Sequence, residues 1–252
     1  MNIFYRKKSL GQCFLEDENI LRLEAQLLDP TEKKVLEIGP GDGRLSQKIL
    51  DLNPSELILV EKDTRFANLL KDTLPSANII EADFLQVPIP KVDRIIGNIP
   101  YYISSEIVFR LTEFEFDFAI LMVQDEFAKR MVAKTTDKNY GRLSVSSQLC
   151  FEVEYIKKVP SHLFFPKPKV NSAIIKLKPT NFKISKELED VIRAIFQHKN
   201  KTIKNALKDS KLFTSEQIDL ASKYLTRRAR TMKKEECVDL TANIYKLNLY
   251  KV

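Results

Sequence analysis

The feature that most constrains this chain is the alternation of short apolar runs and helix-like stretches between residues 33 and 134. KKVLEIG (33–39), ELILVEKD (56–63), ANIIEAD (77–83), DRIIGNI (93–99) and FAILMVQ (118–124) are each rich in Ile, Leu or Val. Each is bounded by Pro, Gly, Asp or Asn, the pattern of a buried strand. Between them, segments 43–52, 64–73, 103–112 and 125–134 carry helical periodicity. Strands separated by helices pair in parallel and are covered on both faces. The expected fold class is therefore α/β, with a Rossmann-like, mostly parallel sheet. VEYIKKVP (153–160) and NSAIIKLKP (171–179) have no helix between them and are expected as an antiparallel hairpin at one edge.

After Pro179 the pattern changes. Segments 185–197, 201–209, 215–224 and 233–247 are helical, with no convincing strand. A boundary at KPTNFK predicts a catalytic domain over 1–178 and a small all-α domain over 179–252. Charge divides at the same place. Residues 1–180 hold 25 Lys+Arg and 25 Asp+Glu, whereas 181–252 hold 16 and 9, which accounts for the whole net charge of +7. A basic tail domain suits a polyanionic partner such as nucleic acid, and equally a Lys-rich solvated surface.

Other classes are excluded more simply. No apolar run approaches the roughly 20 residues of a membrane span. The basic start, MNIFYRKKSLGQ, lacks the apolar core of a signal peptide. Cys13, Cys150 and Cys237 are far apart, and His162 and His198 show no metal-ligand spacing. Neither a disulfide framework nor a metal site is expected, and the chain reads as a cytoplasmic protein.

Two motifs carry chemistry. Glu37-Ile38-Gly39-Pro40-Gly41-Asp42-Gly43 follows the first strand and opens a helix, so its backbone can approach a ligand closely. Arg44 stands where the dinucleotide fingerprint requires Gly or Ala, which weakens a phosphate-binding reading. An acidic residue ahead of the glycines fits S-adenosyl-L-methionine better, since that cofactor has an amino group and a sulfonium but no phosphate. Glu61, 22 residues beyond Gly39, is placed to reach ribose hydroxyls, and Asp83 with Phe84 to hold an adenine. Any one acidic residue at a strand end is more often a helix N-cap or a solvated turn. Together with Asn98 they fall at the ends of four consecutive strands, the edge where open parallel sheets bind ligands.

The second motif is Asn98-Ile99-Pro100-Tyr101. An amide oxygen can accept from a base amino group, and a ring can stack on its face, a combination suited to methylating an exocyclic nucleobase nitrogen. The plainer alternative is a strand-to-helix turn. Tyr102 is assigned no role.

At this point the chain resembles the rRNA adenine N6,N6-dimethyltransferase family. The matches run in order: KSLGQCFL (8–15), EIGPGDGRLS (37–46), VEKD (60–63), EADFL (81–85), NIPYYIS (98–104), YGRLSV (140–145) and FFPKPKVNSAI (164–174). The resemblance implies a class I S-adenosylmethionine-dependent methyltransferase fold with a small helical C-terminal domain. By matched position, Gln12, Cys13 and Leu15 would lie along the methionine end of the cofactor. Gly39 and Gly41 would line it, with Glu37; Glu61 and Lys62 would lie at the ribose, and Asp83 with Phe84 at the adenine. Asn98, the Ile99 carbonyl, Pro100 and Tyr101 would form the catalytic motif, and Phe164 would stack on the other side of the target base. Cys13 departs from the Asn of many members; backbone contact, with no redox role, is expected there.

Within this family QDEFAKRMVAKTTDKNYGRLSV (124–145) is more similar to the small-subunit rRNA branch, particularly its archaeal and eukaryotic members. The rivals are a large-subunit resistance methylase and a non-catalytic RNA-binding assembly or transcription factor. RNA contacts are expected from Arg6, Lys7 and Lys8, from Lys167 and Lys169, and from Lys199, Lys201, Lys204, Arg227, Arg228 and Arg230. The expected partner is rRNA within a preribosomal particle, bound by a monomer without metal or membrane.

Overall fold

The computed structural model describes residues 13–247. Arg6, Lys7, Lys8 and Gln12 therefore lie outside the described residues. In chain order the elements begin with β1 (Phe14–Leu15), α1 (Glu18–Leu28), β2 (Lys34–Ile38), α2 (Arg44–Leu50), β3 (Glu56–Glu61) and α3 (Thr64–Thr73). There follow β4 (Asn78–Glu81), β5 (Arg94–Asn98), α4 (Ser104–Arg110), β6 (Phe118–Gln124), α5 (Asp125–Val132) and α6 (Arg142–Cys150). Next come β7 (Phe151–Val159), β8 (Phe164–Phe165), β9 (Ser172–Pro179), α7 (Lys186–Gln197), α8 (Ile203–Ser210), α9 (Ser215–Leu220) and α10 (Lys234–Tyr245).

Seven strands form one sheet in the order β4-β3-β2-β5-β6-β9-β7. The pairs β2–β3, β3–β4, β2–β5 and β5–β6 are parallel. β9 runs antiparallel to β6 over Ala119↔Leu177 to Gln124↔Ser172, so the two late strands close one edge as expected. Continuous burial along these strands explains their unbroken apolar sequences: Leu57 to Val60 and Ala119 to Val123 are each at most 2% exposed. Helices start where side chains satisfy free backbone N–H groups. Asp17 accepts from Ile20 N at α1, and Asp63 from Arg65 N at α3.

The order matters for the site. After β2 the chain builds outward through β3 and β4, then returns to add β5 on the other side of β2. The carboxyl ends of β2 and β5 thus flank the point where the winding reverses, and a crevice opens there. Glu37 and Asn98 sit at these two ends. A second, two-stranded sheet pairs Phe14 with Phe165 and Leu15 with Phe164.

Two compact units are resolved by contacts within the chain. The first comprises residues through Ala128 and Glu154–Pro179; the second comprises Lys129–Val153 and the residues from Thr180 onward. β9 ends at Pro179, within a residue of the expected boundary. The helical unit differs from that expectation by also including 129–153. Its core contains Tyr140, Val145 and Leu149 from that segment, packed with Leu188, Val191, Ile195, Leu207 and Leu240. Tyr140 also donates its buried hydroxyl to Met232 O at 2.7 Å, tying 129–153 to the C-terminal helices.

Candidate active site

The glycine loop is shaped by its backbone. Gly39, Gly41 and Gly43 hold φ of 65°, 56° and 80°, a region that side-chain-bearing residues rarely adopt. A Cβ on Gly41 would also stand 2.8 Å from Cε1 of Phe14, so only hydrogen fits there. The loop is held from the next strand: Glu61 Oε2 accepts from Gly41 N at 3.0 Å, and Oε1 accepts from Asp63 N at 2.8 Å. Each carboxylate oxygen keeps a further lone pair, and together they form a paired acceptor at the end of β3.

Around this loop one cleft is lined by Cys13, Phe14, Leu15, Glu37, Gly39, Gly41, Glu61, Lys62, Asp83 and Phe84 on one part. On the other it is lined by Asn98, Ile99, Pro100, Tyr101, Tyr102, Phe164 and Ser172. Phe84 is 5% exposed and packs against Phe114, with ring centroids 6.0 Å apart. Asp83 is paired with Lys62 at 2.7 Å and accepts from Leu85 N, and the lysine holds its carboxyl below the usual range.

Glu37 is 2% exposed and receives a 2.6 Å hydrogen bond from Ser46 Oγ. Burial pushes its carboxyl up to about 8; the Ser46 bond works against this, and the nearby Glu61 and Asp42 charges add to it. Burial also raises Glu61, partly offset by the N–H groups of Asp63 and Gly41. Glu37 and Glu61 are thus shifted toward their neutral forms while Asp83 is held ionised, and a cationic ligand beside the buried pair would favour their ionisation.

At the end of β5 the ladder continues one residue further, with Ile99 N donating to Met122 O at 3.0 Å. Pro100 has no N–H and ends it. The chain then enters a 3-10 turn at Tyr101–Ile103 that leads into α4. Tyr101 is fixed by a 2.7 Å hydrogen bond between its hydroxyl and Ser172 Oγ, at the start of β9. Phe164 is 6% exposed in β8 and lines the same cleft.

Behind Asn98 lies Glu24 of α1, which is fully buried and receives the Asn98 Nδ2 hydrogen at 3.4 Å. Burial raises its carboxyl to about 8; the Asn98 bond works against this, and Glu37 adds to it. Asn98 Oδ1 and Glu24 Oε1 are buried without a hydrogen-bond partner in the described residues. An acceptor buried at the edge of a cleft without a partner is costly unless a ligand supplies the donor.

The ribosomal RNA adenine dimethylase family model matches residues 3–247. The chain belongs to that family. Among its relatives, a probable ribosomal RNA small subunit methyltransferase A of Methanococcus vannielii is 39% identical, over 98% of this chain and 94% of the relative. The crystal structure of a dimethyladenosine transferase from Plasmodium falciparum superposes with a TM-score of 0.81 at 26% identity, covering 92% of this chain and 98% of that one. The 23S rRNA methyltransferase ErmE gives 0.68 at 27% identity, covering 92% and 99%. The fold is accordingly that of the S-adenosylmethionine-dependent methyltransferases.

For this member of the adenine dimethylase family, the structure brings together in one cleft every described residue that the sequence placed at the cofactor or the target base. The basic positions behave differently. Lys167, Lys169, Lys204, Arg228 and Arg230 are exposed. Lys201 is exposed but paired with Asp209 at 2.6 Å, and Lys199 donates to Lys138 O and Tyr140 O. Arg227 is half-buried in a two-pronged pair with Glu236 and also donates to Thr231 O, so it serves as an internal strut of the helical unit.

Sequence reasoning missed three residues. Ser46 and Ser172 orient Glu37 and Tyr101, and lone serines leave no readable signal. Glu24 did leave one. It falls on the apolar stripe Leu21, Ala25 and Leu28 of α1, where a carboxylate has no ordinary place. Tyr102, assigned no role, is 61% exposed and lines the cleft.

Proposed function

We propose that this chain transfers methyl groups from S-adenosyl-L-methionine to N6 of two adjacent adenosines near the 3′ end of small-subunit rRNA. The product is N6,N6-dimethyladenosine, formed in the cytoplasm by a monomer acting on a preribosomal particle. The observation that carries this reading is Asn98 Oδ1, a buried acceptor without a partner where the glycine loop and the aromatic side chains converge. The small-subunit branch is supported by relatives such as that of M. vannielii and by the TM-score of 0.81 for the dimethyladenosine transferase against 0.68 for ErmE.

The cleft fits the cofactor. Gly39 and Gly41 present backbone without side chains to the cleft, Glu61 presents two carboxylate oxygens for ribose hydroxyls, and Glu37 offers a carboxylate to a cationic ligand. Asp83 and Phe84 would hold the adenine, with Cys13, Leu15 and Lys62 along the remaining wall. When bound, the cofactor supplies an electrophilic methyl group. The chain must then position a poor nucleophile, because the N6 lone pair is delocalised into the adenine ring. Asn98 Oδ1 and the Ile99 carbonyl accept the two N6 hydrogens, favour the pyramidal nitrogen and aim its lone pair. Tyr101 and Phe164 stack on the flipped base, at roughly 1–3 kcal/mol per aromatic contact, which offsets much of the unstacking cost. The methylated nitrogen is acidic and needs no strong base. The exposed Lys167, Lys169, Lys204, Arg228 and Arg230 contact rRNA phosphates, so binding weakens with salt.

Purified small subunits, large subunits and naked rRNA, incubated with labelled cofactor and mapped for dimethyladenosine, test the assignment. Label confined to the small-subunit 3′ region is expected. Label in large-subunit rRNA would establish the resistance-methylase alternative, and binding without transfer the non-catalytic one.

Cofactor binding is also expected to release a proton. With Glu37 raised to about 8, the carboxyl is mostly protonated at pH 7 in the free protein, and a cationic ligand favours its ionised form. Affinity therefore rises with pH, by up to about tenfold per unit, and levels off above about 8. Calorimetry in buffers of different ionisation enthalpy checks this; Glu37→Gln is expected to abolish most of the proton release.

A further inference from the structure

We propose that Glu24 is a positioning residue that fixes which end of the Asn98 amide faces the target base. The inference rests on the adenine-N6 reading above and goes beyond it. An asparagine side chain is nearly symmetric in shape but not in chemistry: turned one way it presents an acceptor, turned the other an NH2. Only the first can take a hydrogen from N6; the second sets donor against donor.

Glu24 Oε2 receives the Nδ2 hydrogen, and that contact leaves Oδ1 as the free end of the amide. The two side chains come from α1 and β5, 74 residues apart, so the contact is a product of the fold. Stability does not account for the carboxyl. It is fully buried on the apolar stripe of α1, no Lys or Arg pairs with it among the described residues, and the neighbouring Glu37 opposes its ionisation. A leucine of similar size would be the more stable choice. Among the described residues one carboxylate oxygen is left without a partner, and the hydrogen bond the side chain makes is the one to Asn98. A costly buried acid whose one contact is a proposed catalytic amide is best explained by what it does to that amide.

The test compares Glu24→Leu, Glu24→Gln, Asn98→Ala and the Glu24→Leu/Asn98→Ala double variant on small subunits. For Glu24→Leu, the transfer rate at saturating substrates is expected to fall about tenfold or more, as for a misaligned reacting group. Its cofactor affinity and KM for subunits are expected to stay within about twofold and its melting temperature not to fall, because a buried carboxyl with an unpartnered oxygen has been removed. Glu24→Gln, whose carbonyl can still take the Nδ2 hydrogen but whose NH2 can also hold Oδ1, is expected to be intermediate. In the Asn98→Ala background Glu24→Leu adds no further loss, since a residue acting through Asn98 has nothing left to act on. In the cofactor-free protein, the Asn98 side-chain amide is expected to give a single ordered 15N signal that broadens or splits in Glu24→Leu. If Glu24→Leu fails to fold, Glu24→Gln and this amide signal decide the matter. Undiminished transfer and an unchanged amide signal would overturn the proposal, as would an equal loss with Asn98 present or absent. If Asn98→Ala itself loses nothing, the adenine-N6 chemistry fails instead, so the two failures are distinguishable.

Discussion

Replacing Asn98 with alanine is expected to cut methyl transfer by roughly two to three orders of magnitude while leaving cofactor binding within a few-fold of the wild type. The separation follows from where the side chain sits. Asn98 ends β5, and its Oδ1 makes no hydrogen bond that holds the glycine loop, which is tied to Glu61. The fold therefore loses little in the variant: Nδ2 gives up one long bond to Glu24. Transfer loses the acceptor that both anchors N6 and favours its pyramidal form. Single-turnover transfer of labelled methyl groups and calorimetric titration of the cofactor separate the two effects. A variant that binds the cofactor and methylates as fast as the wild type would show that Asn98 is only a turn residue.

Glu61→Ala is expected to act in the opposite way, destroying cofactor affinity. Glu61 is 7% exposed, and both of its oxygens are engaged by backbone N–H groups, one from Gly41 and one from Asp63. Alanine would remove the acceptors meant for the ribose and also release the loop that shapes the cleft. Hydrogen bonds to charged groups contribute about 1.5–3 kcal/mol each, so losing two ligand contacts corresponds to roughly a hundredfold or more in Kd. The orphaned N–H groups of Gly41 and Asp63 are expected to lower the melting temperature as well. Glu61→Gln keeps one carbonyl acceptor and is expected to fall between. Calorimetry and thermal melts read both effects, and tight binding by Glu61→Ala would remove Glu61 from the ribose site.

The parts legible in advance share a physical basis. β2, β3, β5 and β6 are buried along most of their length, so each leaves an apolar run with Gly, Pro, Asp or Asn near its ends, whereas the edge strand β4 is only half-buried; β6 and α3 match the expected 118–124 and 64–73 residue for residue. Residues that line the cleft from strand ends or just beyond them, such as Glu37, Glu61, Asp83 and Asn98, follow from the same pattern. What escaped has no period to detect. β1 and β8 are two residues long. α6 is buried on nearly every side, so RLSVSSQLC shows no apolar stripe despite being a helix. Its membership of the helical unit depends on contacts with residues beyond 180, which no local window contains. Arg227 and Glu24 fail for a related reason: a charge reads as surface until the fold reveals its partner, Glu236 in one case and Asn98 in the other.

The pairing of Phe14–Leu15 with Phe164–Phe165 makes a clasp between two stretches of chain some 150 residues apart. Phe14 lies over the glycine loop and Phe164 lines the same cleft as Asn98 and Tyr101. One two-residue ladder therefore anchors both the segment over the glycine loop and the segment that carries Phe164, so a substitution that weakens it is expected to disturb both parts of the cleft wall together.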